Sequence, residues 1–313
     1  REQQAAQHFV HDPGQTNSLI DNRVRSILID REKTVWIGTA SGLQKRSVYA
    51  GKDAGFELIA GANDELLGEE IRTLFQAQDG RIWMGFSKGG AAIYSPQTGV
   101  VQRVSLDAYG TNSLGDNVVD IITQISPDEV WLSRYGFGIY VVDAKDGRIH
   151  SHIHNDPAVS GSLAFDQIGA LLLDRSGILW LGSWGDGLQK YSANQEAIRI
   201  LRHSPNNPSS LSRANVRSLL ETHDGKIYVG TDGNGIDIID RKRGLIGGYR
   251  ADPERPESTV ATAVLALAET ADHTIWAGTR QSGLQALKQG RTTWVTYSSQ
   301  HGLPSNQIRS IYA

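Results

Sequence analysis

Asp174-Arg175-Ser176-Gly177-Ile178-Leu179-Trp180-Leu181-Gly182 is a tight turn followed by an apolar run that closes on an aromatic-apolar-Gly triplet. Related triplets stand at Trp36-Ile37-Gly38, Trp83-Met84-Gly85, Trp131-Leu132-Ser133, Tyr228-Val229-Gly230 and Trp276-Ala277-Gly278, and successive copies are 47 to 49 residues apart. A fixed period of this length marks a repeat architecture, so it decides the fold before any local reading does. Twelve residues ahead of each aromatic stands a β-branched residue, Val24, Ile71, Val119, Ile168, Val216 or Val264, which opens a short apolar strand.

Between opener and aromatic lies a turn such as Asp79-Gly80, Ser176-Gly177 or Asp224-Gly225. Dipeptides of this type supply the positive φ that a tight hairpin needs, so strands one and two pair. Glycine-containing loops ending in Gly42-Leu43, Gly187-Leu188, Gly235-Ile236 and Gly283-Leu284 lead into a third strand, and residues 56–59, 101–104 and 294–297 read as fourth strands. Such a meander has no helical periodicity and cannot bury both of its faces alone. Radial stacking of the sheets solves that problem, which gives an all-β propeller.

The expected fold is a β-propeller of seven-bladed type. Six complete four-stranded blades fall near residues 22–59, 69–104, 117–154, 166–203, 214–250 and 262–297, and the end strands 8–11 and 308–311 belong to a partial blade. The whole chain, 1–313, reads as a single propeller domain. It opens on Arg1 and stops inside an expected strand, as a portion of a longer protein would.

Composition agrees with this architecture. Only 39% of the 313 residues are apolar, which is lean for one compact core but ample for thin layers between blades. The net charge of −3 provides no positive excess to follow a phosphate backbone, so nucleic acid is not an expected partner. The absence of Cys excludes disulfides, thiolate nucleophiles and Cys-bound zinc. No apolar stretch approaches the roughly 20 residues of a membrane-spanning helix.

Asn215-Val216-Arg217-Ser218-Leu219-Leu220 with Asp224-Gly225-Lys226-Ile227-Tyr228-Val229-Gly230-Thr231, and the stretch from Asp174 to Gly182 with Gly187-Leu188, resemble the two-component regulator propeller repeat. The phrases Asn17-Ser18-Leu19, Asn112-Ser113-Leu114 and Pro208-Ser209-Ser210-Leu211 are similar to the linkers between its blades. Tyr228 for Trp, Ser133 for Gly, and Ala271-Asp272-His273 for the Asp-Gly turn depart from the pattern. The resemblance implies a periplasmic sensor region of a bacterial inner-membrane signalling protein, with a further propeller or immunoglobulin-like domain downstream and a histidine kinase or diguanylate cyclase as output. A homodimer is compatible with that reading.

The expected function is therefore non-catalytic sensing of a small-molecule or oligosaccharide ligand. A lyase or glycosidase propeller and a ligand-free dimerisation scaffold are the alternatives. No catalytic constellation stands out, and no cofactor is expected. The residue after each strand-one opener is Arg25, Arg72, Asp120, Gly169, Arg217, Leu265 and, in the last partial copy, Arg309. Innermost strands would bring these together at one mouth of the central channel, where guanidinium forks suit a carboxylate or phosphate. Asp120 would orient them there; the same arginines could instead be struts between blades, binding carbonyls or a carboxylate such as Asp120. Tyr135, Phe137 and Trp184, in loops on the same face, are the candidate apolar walls. His150, His152 and His154 alternate along one strand but read as a solvated outer strand, and Asp232-Gly233-Asn234-Gly235-Ile236-Asp237 as a turn, so no metal site is expected.

Overall fold

The structure is a computed structural model that describes residues 8–51, 54–61, 64–104, 106, 118–159, 161–192, 197–252, 254, 260–261 and 263–313. The linker phrase Asn112-Ser113-Leu114 lies outside the described residues. Each repeat becomes one antiparallel sheet with strands in chain order. The first blade holds β1 (Val24–Ile29), β2 (Thr34–Thr39), β3 (Leu43–Ser47) and β4 (Glu57–Ile59), and the second holds β5 (Ile71–Gln76), β6 (Ile82–Phe86), β7 (Ala91–Tyr94) and β8 (Val101–Val104). The third has β9 (Val119–Gln124), β10 (Glu129–Arg134), β11 (Gly138–Asp143) and β12 (Ile149–Ile153), and the fourth has β13 (Ile168–Leu173), β14 (Ile178–Ser183), β15 (Leu188–Ser192) and β16 (Ala197–Leu201). β17 (Val216–Glu221), β18 (Ile227–Thr231), β19 (Ile236–Asp240) and β20 (Gly244–Tyr249) form the fifth, and β21 (Val264–Glu269), β22 (Ile275–Thr279), β23 (Leu284–Leu287) and β24 (Val295–Tyr297) the sixth. No described helix is long and apolar enough to cross a membrane.

The seven-bladed expectation is corrected: the described residues form six sheets of four strands, and neither 8–11 nor 308–311 is a strand. The reason is geometric. First and fourth strands of one blade stand about 14 Å apart, three strand spacings, so without the middle strands the two ends have no ladder to join. Residues 308–313 instead cross from the sixth blade to the first as irregular chain. Ile308 N–H donates to the Thr279 carbonyl at 2.9 Å and Tyr312 Oη reaches the Ile29 carbonyl at 3.4 Å.

Burial follows the gaps between blades. Trp83, Ala91 and Ile93 of the second blade pack with Val119, Val130 and Tyr140 of the third, and comparable layers join the other neighbours. The Gly of the triplet is required by this stacking. A Cβ on Gly85 would lie 2.5 Å from the Val119 carbonyl and 2.8 Å from its Cγ1, and one on Gly278 would lie 2.9 Å from Ile308 Cγ2. Ile71, Val119, Val216 and Val264 thus seat on the preceding blade's Gly. Ser133 is accommodated because its Oγ donates to the Ile168 carbonyl at 3.2 Å.

The hairpin ends are tied by a second repeated device. Arg31, Gln78, Arg175 and His223 each donate a backbone N–H to the side chain that ends strand one of the next blade, respectively Gln76 (3.0 Å), Gln124 (2.8 Å), Glu221 (2.7 Å) and Glu269 (2.7 Å). Strand one is innermost, so these bonds fasten the blades around the channel on the hairpin face.

Candidate functional site

Every inner strand slips register at its second residue. The ladders break between Val24 and Ser26, Ile71 and Thr73, Ile168 and Ala170, Val216 and Ser218, and Val264 and Ala266, and β10 passes from Ile121 to Val119. A bulge leaves one residue off the ladder and re-aims its side chain. The residues so displaced are Arg25, Arg72, Asp120, Gly169, Arg217 and Leu265. All six line one cavity of about 260 Å³, together with Arg309, Trp184, Ile121 and Ile168.

Within it the arginines differ. Arg72 Nε donates to Asp120 Oδ1 at 2.6 Å, and Arg25 pairs with Glu70 at 2.8 Å, leaving Arg25 Nε buried without an acceptor. Arg217 and Arg309 have no carboxylate or hydrogen-bond partner among the described residues. Burial first, then the charges of Arg280 and Arg309, hold the Arg217 guanidinium below its ordinary pKa, despite Asp232 and Asp120 acting the other way. Burial followed by Arg25, Arg72 and Arg280 does the same to Arg309. Like charges have been gathered here against their repulsion.

A second ring stands above the first, four residues after each aromatic: Ala40, Ser87, Tyr135, Trp184, Asp232 and Arg280. Backbone N–H groups of all six bond to the carbonyl just ahead of their own blade's opener, as Ser87 does to Glu70 and Trp184 to Gln167. Trp184 lies beneath Arg217, 3.9 Å from ring centroid to guanidinium carbon, and Tyr135 meets it edge-on at 5.8 Å. Gly169 fits this arrangement because a Cβ there would collide with the Trp184 indole and the Val216 carbonyl. Arg280 pairs with Asp232.

Seven of the eight residues singled out from the sequence therefore gather at one place: Arg25, Arg72, Asp120, Arg217, Arg309 and Trp184 around the cavity, with Tyr135 against Trp184. Phe137 does not. It lies under the Arg134 guanidinium at 4.0 Å and packs on the core between the second and third blades. Sequence reading missed Arg280, Asp232 and Glu70. The register that exposed Tyr135 and Trp184 also contains Arg280 and Asp232, but unlike chemistry along one ring hid them. His152 stacks between Tyr140 and His154 and bonds the Phe137 carbonyl, while His150 turns to Asp143 at 3.6 Å.

A β-propeller with an arginine-lined channel mouth is thus the class of protein the fold and site define. The family model described as two component regulator propeller matches residues 18–41 and 210–233, so the chain carries repeats of that kind. Among solved structures, the extracellular domain ascribed to the hybrid two component system BT4673 of B. thetaiotaomicron aligns with a TM-score of 0.67 and 16% identity, over 99% of this chain and 46% of that one. The corresponding domain ascribed to BT3049 of the same organism gives 0.51 and 16%, over 96% and 42%. The computationally designed Ika8 protein gives 0.59 and 12%, over 94% and 78%. This chain spans less than half the length of the two bacterial domains, and the likeness is one of fold. A comparison with curated protein sequences finds no match.

Proposed function

We propose that this propeller is the ligand-sensing part of an extracytoplasmic signalling protein, and that it binds a small anionic molecule or acidic oligosaccharide at the arginine-lined mouth. The observation that carries the reading is the pair Arg217 and Arg309, two guanidiniums on the cavity without carboxylate partners among the described residues. Around them Arg25, Arg72 and Arg280 face only Glu70, Asp120 and Asp232, so five positive charges meet three negative ones. A carboxylate, phosphate or sulfate group would relieve that excess through paired hydrogen bonds. Trp184 and Tyr135 offer an aromatic wall for a sugar ring or an apolar body beside the anion.

The repeat type and the extracellular domains ascribed to hybrid two component systems that share the fold support a signalling role. Ligand would draw the inner strands of several blades onto one charge, and a domain downstream, with a kinase or cyclase beyond it, would read the change. A homodimer would suit such an output. One cavity feature favours sensing over catalysis: the one acid among the cavity's described lining residues, Asp120, is committed to Arg72.

A thermal-shift panel of citrate, glucuronate and inorganic phosphate tests the reading, because a ligand that binds only the folded state raises the melting temperature. At least one anion should do so, and Arg217→Ala should lose most of that rise while staying folded. No rise with any of them, or an equal rise in the variant, contradicts it. Cleaved products from an acidic glycan would move the assignment to an enzyme.

A further inference from the structure

We propose that His223, Glu269 and His273 form a binding site for a borderline divalent cation of the zinc class, clasping the fifth blade to the sixth on the face opposite the arginine mouth. The three residues come from two hairpins. His223 follows the end of β17, Glu269 ends β21, and His273 is in the turn before β22. Their donor atoms all lie within 4.8 Å of one another. Glu269 Oε1 is 2.5 Å from His223 Nδ1 and 3.3 Å from His273 Nδ1, and the two imidazoles stack with centroids 3.6 Å apart.

The repeat itself indicates that positive charge belongs at this spot. Glu221 and Glu269 hold the same position in adjacent blades, and each accepts the preceding blade's backbone N–H on Oε2. In Glu221 the other oxygen, Oε1, faces two guanidiniums, Arg175 and Arg241. In Glu269 it faces two imidazoles instead, with His223 at the repeat position that Arg175 fills one blade earlier. Neutral imidazoles provide no compensating charge. Two imidazolium rings stacked at 3.6 Å would repel each other strongly at such a separation. A cation held by both Nδ1 atoms and by Oε1 supplies the charge without that repulsion.

The donor set selects the ion. Two imidazole nitrogens and one carboxylate oxygen suit zinc and its first-row neighbours, whereas magnesium and calcium prefer oxygen alone. Zinc holds such donors at about 2.0–2.2 Å in a tetrahedron, which sets them about 3.4 Å apart, close to the His273–Glu269 distance. On entry of the ion the His223–Glu269 hydrogen bond opens and the proton of the neutral imidazole passes by way of solvent from Nδ1 to Nε2, so that His223 binds as a neutral ligand. The three side chains line a cavity of about 220 Å³ with Thr222, Tyr228 and Tyr249, which leaves room for water at the fourth position.

The test uses the full chain, free of any affinity tag and stripped with EDTA, titrated calorimetrically with zinc chloride and melted with and without it. The parent should take up one equivalent and melt at a higher temperature, and magnesium should leave the melt unchanged. Glu269→Gln keeps an acceptor for the His223 N–H but should weaken zinc at least tenfold. His273→Gly restores the glycine found at this turn position in Gly177 and Gly225, so it should fold normally and lose the response. His152→Ala should retain it. Failure of the parent to take up zinc, or binding by Glu269→Gln and His273→Gly equal to the parent's, overturns the site. Neither result bears on the arginine mouth.

Discussion

Asp174 shows how one side chain can hold a hairpin and a blade junction together. Its Oδ1 accepts from the Ser176 and Ile178 N–H groups, and its Oδ2 takes both the Trp180 indole N–H at 2.8 Å and Arg241 Nε of the next blade at 2.8 Å. Burial works to raise its pKa, but the bonds from Ser176, Trp180 and Arg241 outweigh it and hold the carboxyl down to about 2. A depressed carboxylate stabilises the fold fully above its unfolded pKa and loses that contribution as pH falls through the folded value. The parent should therefore weaken between about pH 4 and pH 2, with about 2 kcal/mol of the loss traceable to this group. Asp174→Asn should be destabilised by a similar amount at neutral pH and should respond less to acid across the same window. Urea unfolding at pH 7, 4 and 2.5 checks both points, and identical pH slopes in parent and variant would contradict them.

At the same scale, the mouth was legible in part. Arg25, Arg72, Arg217 and Arg309 share a register, and a register in a repeat is a place in space. Asp120 shares that register and was readable as a partner, but the pairing of Arg25 with Glu70 and of Arg280 with Asp232 was not, because each crosses from one blade to the next. His223 and His273 stayed hidden for the same reason: they are 50 residues apart, and only stacking of the fifth blade on the sixth makes them neighbours. One signal did exist. His273 replaces a turn glycine and takes its left-handed backbone, with φ of 61°, a conformation that L-residues adopt at a cost.

For single elements, the informative contact is the one between a triplet glycine and the next opener. It explains why an aromatic-apolar-Gly triplet repeats at all: the aromatic fills the gap between blades while the Gly lets the next inner strand close in. Gly85→Val should cost about 1–3 kcal/mol or more, since the added carbons must displace Val119 within a packed layer. Ser133→Gly should be far milder, because the structure there has already made room and loses only one hydrogen bond. Denaturant midpoints of the two variants separate them, and equal losses would show that the triplet glycine is not set by blade spacing. The strands themselves were readable from apolar pattern and turn dipeptides. The bulge at the second residue of each inner strand was not, since pairing register is a property of two strands and the sequence pattern continues through it unbroken. Yet the bulge is what points the mouth residues at the channel.

The molecule as a whole has two unlike faces. Hairpins, backbone clasps and the His223–Glu269–His273 cluster occupy one, and the bulged arginines with Trp184 occupy the other. A net charge of −3 over the chain hides a local positive excess at that mouth. Blade number shows the limit of counting repeats. Six periods were plain, but end segments that matched the repeat, such as Ile308-Arg309-Ser310-Ile311, were read as strands although no partner strand was present to pair them. Ile308 keeps the opener's seat on Gly278, and Arg309 keeps its place on the cavity, without strand structure.

The proposed anion site at the mouth is to be told apart from a set of struts between blades. Isothermal titration of the parent, Arg72→Ala and Arg217→Ala with the anion that performs best in the thermal-shift panel tests it most directly. Binding to the parent should be saturable, one-to-one and weaker with added salt. Arg217→Ala should lose at least tenfold in affinity and Arg72→Ala less, since Arg72 is already engaged with Asp120. Binding of equal strength in all three proteins, with all three folded, would contradict it.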